Sequence, residues 1–163
     1  MKKSFVLFAA AAAVVLLVAC GGGSSEPAAT TTGETAAPKS MVADASAYDP
    51  KRGEGKFSEE NTKLGALDAA LATKGKAIAD TKCLSCHKTT DEKLVGPGWK
   101  GVTTRKAPYW ILNFITNPDP MIDKDPEVQA QLELCLVRMP NQNLTEDDAK
   151  QILEFMRQND GAK

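Results

Sequence analysis

The cysteines and the single histidine are the residues of this 163-residue chain whose types and spacing point most directly to chemistry. Cys83-Leu84-Ser85-Cys86-His87 places two thiols at i and i+3 with an imidazole directly after the second. On a helical turn, thiols so spaced reach the two vinyl groups of one porphyrin and form thioethers, and the adjacent imidazole then points at the iron. The motif reads as covalent attachment of one haem c, with Cys83 and Cys86 as the attachment points and His87 as a ligand to the metal. Three other uses of the same residues stand beside this one: a local disulfide, a thioredoxin-like redox pair, and half of a zinc site. A thioredoxin-like pair requires alternating strands and helices, and no segment here alternates in the strand period. A structural zinc wants four ligands, and beyond these three only Cys135 is obvious.

Cys20 belongs to a different context. Lys2 and Lys3 precede an apolar run from Phe5 to Val18, which is shorter than the roughly 20 residues that cross a bilayer. The run reads as a signal-peptide core, and Leu17-Val18-Ala19-Cys20-Gly21 at its end resembles a bacterial lipobox. That resemblance implies that residues 1–19 are a lipoprotein signal peptide and that Cys20 is the lipidation site. An ordinary cleaved signal or an uncleaved anchor helix is the alternative. Several acyl chains on one cysteine, each held by about 0.8 kcal/mol per buried methylene, would tether the protein to a membrane of the cell envelope, its domain facing the periplasm or the exterior. Residues 20–55 are rich in Gly, Ser, Ala, Thr and Pro without helical or strand period, and read as an acylated, flexible, disordered tether. A coil of about 35 residues has a reach of roughly 30–35 Å.

That leaves residues 56–163 as the domain that must position the haem motif. Asp68 is a candidate N-cap for a helix over Ala69 to Asp80. Gly96-Pro97-Gly98 and Gly101 punctuate a loop. A second helix fits Ala107 to Thr116 and ends at Asn117-Pro118-Asp119-Pro120. A third fits Pro126 to about Val137, with Val128, Leu132, Cys135 and Leu136 on one stripe. The last begins at Thr145, which with Asp148 forms a capping-box-like pair, and carries Ala149, Ile152, Leu153, Phe155 and Met156 on its apolar face. The fold class is all-α, about four short helices with long loops, around one haem.

Composition agrees with such a domain and narrows its partners. Hydrophobic residues make up 42% of the chain and aromatics only 6%, so a small core would gain from a large apolar prosthetic group. A net charge of -1 lacks the basic excess that holds phosphates by counterion release, which excludes nucleic acid as a partner.

From about Asp68 to Gln158 the chain resembles a class I, monohaem c-type cytochrome. In that family a glycine eight residues before the first haem cysteine lies at a crossing with the C-terminal helix, and Gly75 has that spacing from Cys83. The resemblance implies Phe155 as its aromatic counterpart, whereas Ala79 stands where the family often has an aromatic. It also implies that the Gly96-Pro97 segment, through the Pro97 carbonyl, accepts the Nδ1 proton of His87. Such a bond orients the ring and raises the basicity of the ligating nitrogen.

His87 is the only histidine, so a second histidine ligand from this chain is excluded and methionine leads for the sixth position. Of five methionines, Met1 falls in the signal, Met41 in the tether, and Met156 on the apolar face of the last helix. Met139-Pro140-Asn141-Gln142-Asn143-Leu144-Thr145 resembles the family's axial-methionine loop, which implies Met139 as the ligand. Met121, which follows a Pro-rich turn, and an open position are the alternatives.

Histidine and methionine ligation raises the potential, so the resemblance implies a carrier of single electrons rather than an enzyme. It implies redox partner proteins, such as a quinol-oxidising complex, a terminal oxidase or a periplasmic reductase, and a monomer. The rival reading is a haem-based gas sensor or peroxidase-like protein with an open sixth position. Cys135 reads as a small buried apolar group, with an intermolecular disulfide or a thiolate ligand to iron as its other uses. The resemblance also implies arginine and aromatic donors to the haem propionates, for which Arg105, Trp99, Tyr109 and Trp110 are the candidates.

Overall fold

Asp68 caps the first helix as its position suggests, its carboxylate accepting from the backbone N–H groups of Ala70 and Leu71, each at 2.9 Å. In a computed structural model that describes residues 48–163, six helices follow in order. They are α1 (Ala69–Lys82), α2 (Val102–Arg105), α3 (Pro108–Thr116), α4 (Pro118–Lys124), α5 (Pro126–Cys135) and α6 (Glu146–Asn159). The signal peptide, the lipobox with Cys20, Met41 and the tether up to residue 47 lie outside the described residues. Among the described residues there is no strand, and no helix is long and apolar enough to cross a membrane. The all-α class holds.

The central packing is α1 against α6. Ala72, Ala79 and Ala149 are fully enclosed, and Gly75 is buried directly against the backbone of Gln151. Small residues let the two backbones approach. Thr145 starts α6 with a reciprocal capping box: Asp148 N–H donates to Thr145 Oγ1 and Thr145 N–H to the Asp148 carboxylate, both at 3.1 Å. Glu146, Asp147 and Asp148 put negative charge at the positive end of the helix dipole. The buried Glu154 of α6 accepts from the Asp68 N–H at 3.0 Å and from Arg157 at 2.5 Å, which ties the start of α1 to α6.

Several sequence expectations differ from the fold. The described residues form six helices rather than about four. The Asn117-Pro118-Asp119-Pro120 segment ends α3 but also begins α4, because prolines in a first turn lose no hydrogen bond. α2 is a single turn within the stretch expected to be loop, anchored by Asp160, whose carboxylate accepts from Gly101 N–H at 2.6 Å and Thr103 N–H at 2.9 Å. α5 stops at Cys135 rather than near Val137, because Leu136 turns into the left-handed region at φ 59°.

A further difference is the boundary of the domain. The tether was expected to extend to residue 55, yet Tyr48, Gly53 and Phe57 are packed on the helices. Phe57 is buried at 3% exposure, and Asn113 of α3 accepts from its N–H at 2.9 Å while donating to the Phe57 and Arg52 carbonyls at 3.0 and 3.1 Å. Gly53, at φ 71°, lies against the thioether of Met121 with no room for a side chain. This strap over α3, α4 and α5 is part of the core, so the domain extends to Tyr48 at least.

Candidate cofactor site

α1 continues past Asp80 to Lys82, so that Cys83 N–H still bonds to the Ala79 carbonyl at 2.9 Å. A tight turn follows, with the N–H groups of both Cys86 and His87 donating to the Cys83 carbonyl at 3.0 Å. It holds the two sulfurs and the imidazole on one side of the chain. The loop after it folds back under the histidine: Val95 and Gly96 donate to the Cys86 carbonyl at 3.1 and 2.8 Å. Gly96 lies flat against the imidazole, with no space for a Cβ.

His87 Nδ1 donates to the Pro97 carbonyl at 2.8 Å. A carbonyl only accepts, so the proton sits on Nδ1 and the lone pair of Nε2 is the one left for a metal. Burial holds the imidazole below its usual pKa, against the opposing pull of the Pro97 bond, which keeps the ring neutral and able to ligate. Trp99 packs against it with ring centroids 5.5 Å apart, and Phe155 of α6 meets the edge of Trp99 at 6.4 Å. The aromatic proposed for the α1–α6 crossing therefore backs the ligand through Trp99, while the Gln151 backbone meets Gly75 itself.

These groups open onto a cavity of about 500 Å³. Cys83, Cys86, His87 and Met139 all line it, and Ile111, Phe114, Ile115, Leu144 and Ile152 make most of its wall apolar. Cys83, Cys86 and Cys135 are free thiols, so the local disulfide is not formed. Burial pushes the Cys83 thiol up to about 11, with Lys82 opposing the shift and Cys86 adding to it, so the sulfur stays a neutral thiol. Among the described residues no three His, Cys, Asp or Glu side chains converge as metal ligands. Two unpaired sulfurs, an imidazole with its outer nitrogen fixed, a methionine on the lining and an apolar wall fit a porphyrin.

Other candidates separate by position. Met121 is fully enclosed, packed on Gly53 and absent from the cavity lining, so it cannot serve as a ligand without unpacking the strap. Met156 lines the cavity but is 3% exposed in the α6 core, whereas Met139 is half-buried in the loop before α6. Cys135, expected to be buried, is half-exposed and lines the cavity as the last residue of α5. Trp110 gives its one N–H to Asp125 at 3.1 Å, which removes it as a donor to propionates; Arg105 and Trp99 also line the cavity.

The family model for cytochrome c matches residues 72–160, more than half of the chain. The chain belongs to the cytochrome c family. Among solved structures it is similar to a cytochrome c from Rhodothermus marinus, 34% identical with a TM-score of 0.60 over 64% of this chain and 90% of that one. An engineered cytochrome c from Rhodothermus marinus, Rma TDE, is 32% identical with a TM-score of 0.61, over 72% of this chain and 98% of that one. The same engineered protein bound to a carbene intermediate, 1-ethoxy-1-oxopropan-2-ylidene, has a TM-score of 0.58 at 32% identity, with the same coverage. No curated protein sequence matches the chain. As a cytochrome c it carries one covalently attached haem c, and its chemistry is haem-based electron transfer with redox partner proteins.

Three contributors to this cytochrome's site escaped the sequence: Trp99 as the surface behind His87, the flat approach of Gly96, and Asp125 behind Trp110. Only Gly96 carried a local signal, since a glycine ahead of a proline invites the question of what lies against it.

Proposed function

We propose that the chain is a one-electron carrier in which Cys83 and Cys86 would bear the haem thioethers and His87 and Met139 would ligate the iron. The observation that carries this reading is the convergence of those four side chains on one apolar cavity. When bound, the haem supplies an iron that changes between ferric and ferrous states. The chain's own work is to hold it. Pro97 fixes the imidazole, the Met139 loop brings in a thioether, and the apolar wall keeps water from the metal. A thioether in the sixth position favours the ferrous state and a moderately positive potential. The role is carriage of electrons, with catalysis left to partners such as a quinol-oxidising complex, a terminal oxidase or a periplasmic reductase. Leu94, Leu134 and Leu136, 46%, 64% and 85% exposed, lie outside the cavity lining, so a filled cavity leaves them free to meet such a partner.

The test is a reduced-minus-oxidised spectrum and redox titration of Met139→Ala beside wild type. The variant should lose the ferric thioether-to-iron band, bind carbon monoxide and fall in potential. If Met156→Ala or Met121→Ala does this and Met139→Ala does not, the ligand assignment fails. Ready binding of carbon monoxide by wild type would instead favour a sensor or peroxidase-like protein with an open position.

The location proposed is the cell envelope, with acylated Cys20 anchoring the domain to a membrane, on the strength of Leu17-Val18-Ala19-Cys20. Cys20→Ala should move the haem from the membrane to the soluble fraction; an unchanged distribution would count against the anchor.

A further inference from the structure

Asp125 is fully enclosed, takes no part in the attachments described above, and belongs to no ion pair among the described residues. Its charge is met by hydrogen-bond donors alone. Oδ1 accepts from the N–H groups of Glu127 and Val128 at 2.9 and 3.1 Å, an N-cap for α5. Oδ2 does something a cap does not require. It accepts the indole N–H of Trp110 at 3.1 Å and the hydroxyl of Tyr48 at 2.6 Å.

Both ends of this arrangement reach the haem cavity. Trp110 and Val128 line it, and Trp110 is 6% exposed, stacked on Phe114 at 5.2 Å with Lys106 Nζ over its ring at 4.3 Å. Tyr48, 77 residues before Asp125 in sequence, is the first residue of the strap. A buried carboxylate without a cation is costly to maintain, and a helix cap can be made by an exposed serine or threonine. The position of Asp125 therefore calls for a second role.

We propose that Asp125 is a positioning residue of the haem pocket: it holds Trp110 in the cavity wall and places one buried negative charge behind it, partly offset by Tyr48 of the strap. A negative charge in a low-dielectric wall stabilises the more positive state of the iron and lowers its potential. The Tyr48 hydroxyl and the Trp110 N–H point their positive ends at the carboxylate and weaken that effect. The inference rests on the cavity being the haem site, which the visible spectrum of wild type checks separately.

The experiment is redox titration of the holoprotein and three variants. Asp125→Asn removes the charge and should raise the potential. Tyr48→Phe and Trp110→Phe each remove a donor while keeping the charge, and should lower it. Opposite signs would not arise from a merely structural contact, whose loss would loosen the wall alike in every case. Shifts of the same sign in all three, or none, would overturn the proposal. Should Asp125→Asn not yield folded holoprotein, the two donor variants decide: an unmoved or raised potential in either refutes it.

Discussion

Gly75 of α1 lies directly on the backbone carbonyl of Gln151 in α6, with no space between them for a single methyl group. Backbone cannot swing aside as a flexible side chain can, so Gly75→Ala forces the two helices apart. The cost of such overpacking is about 1–3 kcal/mol or more. Urea denaturation should show a lowered midpoint at unchanged slope. A midpoint equal to wild type would mean that the crossing yields where the close contact says it cannot.

Gly96 stands in the same relation to a functional side chain. A methyl group there would press on the His87 ring and draw Nδ1 away from the Pro97 carbonyl, now 2.8 Å distant. Losing that bond lowers the basicity of the ligating nitrogen. Gly96→Ala should raise the reduction potential and alter the haem spectrum, and identical values in titration would discard this view of the ring.

Asn113 joins the strap to α3 through three hydrogen bonds at 1% exposure. Asn113→Ala leaves the N–H of Phe57 and two carbonyls without their partner, at a cost of roughly 1–3 kcal/mol for a buried group. Limited proteolysis should then cut within residues 48–57 while the haem-bearing helices stay whole. Resistance equal to wild type would show that the strap is held by packing alone.

Tyr48 supplies a dependence on pH. Burial first, and then the bond to Asp125, raise its hydroxyl well above the ordinary value near 10. Above that pH the unfolded chain releases this proton while the folded one keeps it. Stability from this group is therefore complete below about pH 10 and declines as pH rises toward the folded value. Lysines titrate in the same range, so the comparison is wild type against Tyr48→Phe. Denaturation midpoints should converge between pH 9 and pH 11; a constant gap would contradict the shift.

Much of the chemistry was legible because it is local. Two cysteines and a histidine within five residues, the Thr145 capping box, the Asp68 cap and the glycine eight residues before Cys83 each state their role in a short span. The proline cluster after α3 shows the limit of that reading. Its residues end one helix and start another with equal ease, and only the burial of Met121 beneath the strap and of Ile122 at the cavity wall selects the second.

By itself the sequence determined the haem attachment, the all-helical class and the family, because these depend on residues close together along the chain. Tertiary structure alone decided that the strap from Tyr48 belongs to the core, that Trp99 backs His87, that Met121 is packed away from the cavity, and that Asp125 holds Trp110. Each of those rests on contacts between different segments of the chain rather than within one. No local propensity encodes such a pairing; it forms only when burying apolar surface brings the segments together and each enclosed polar group must find a partner.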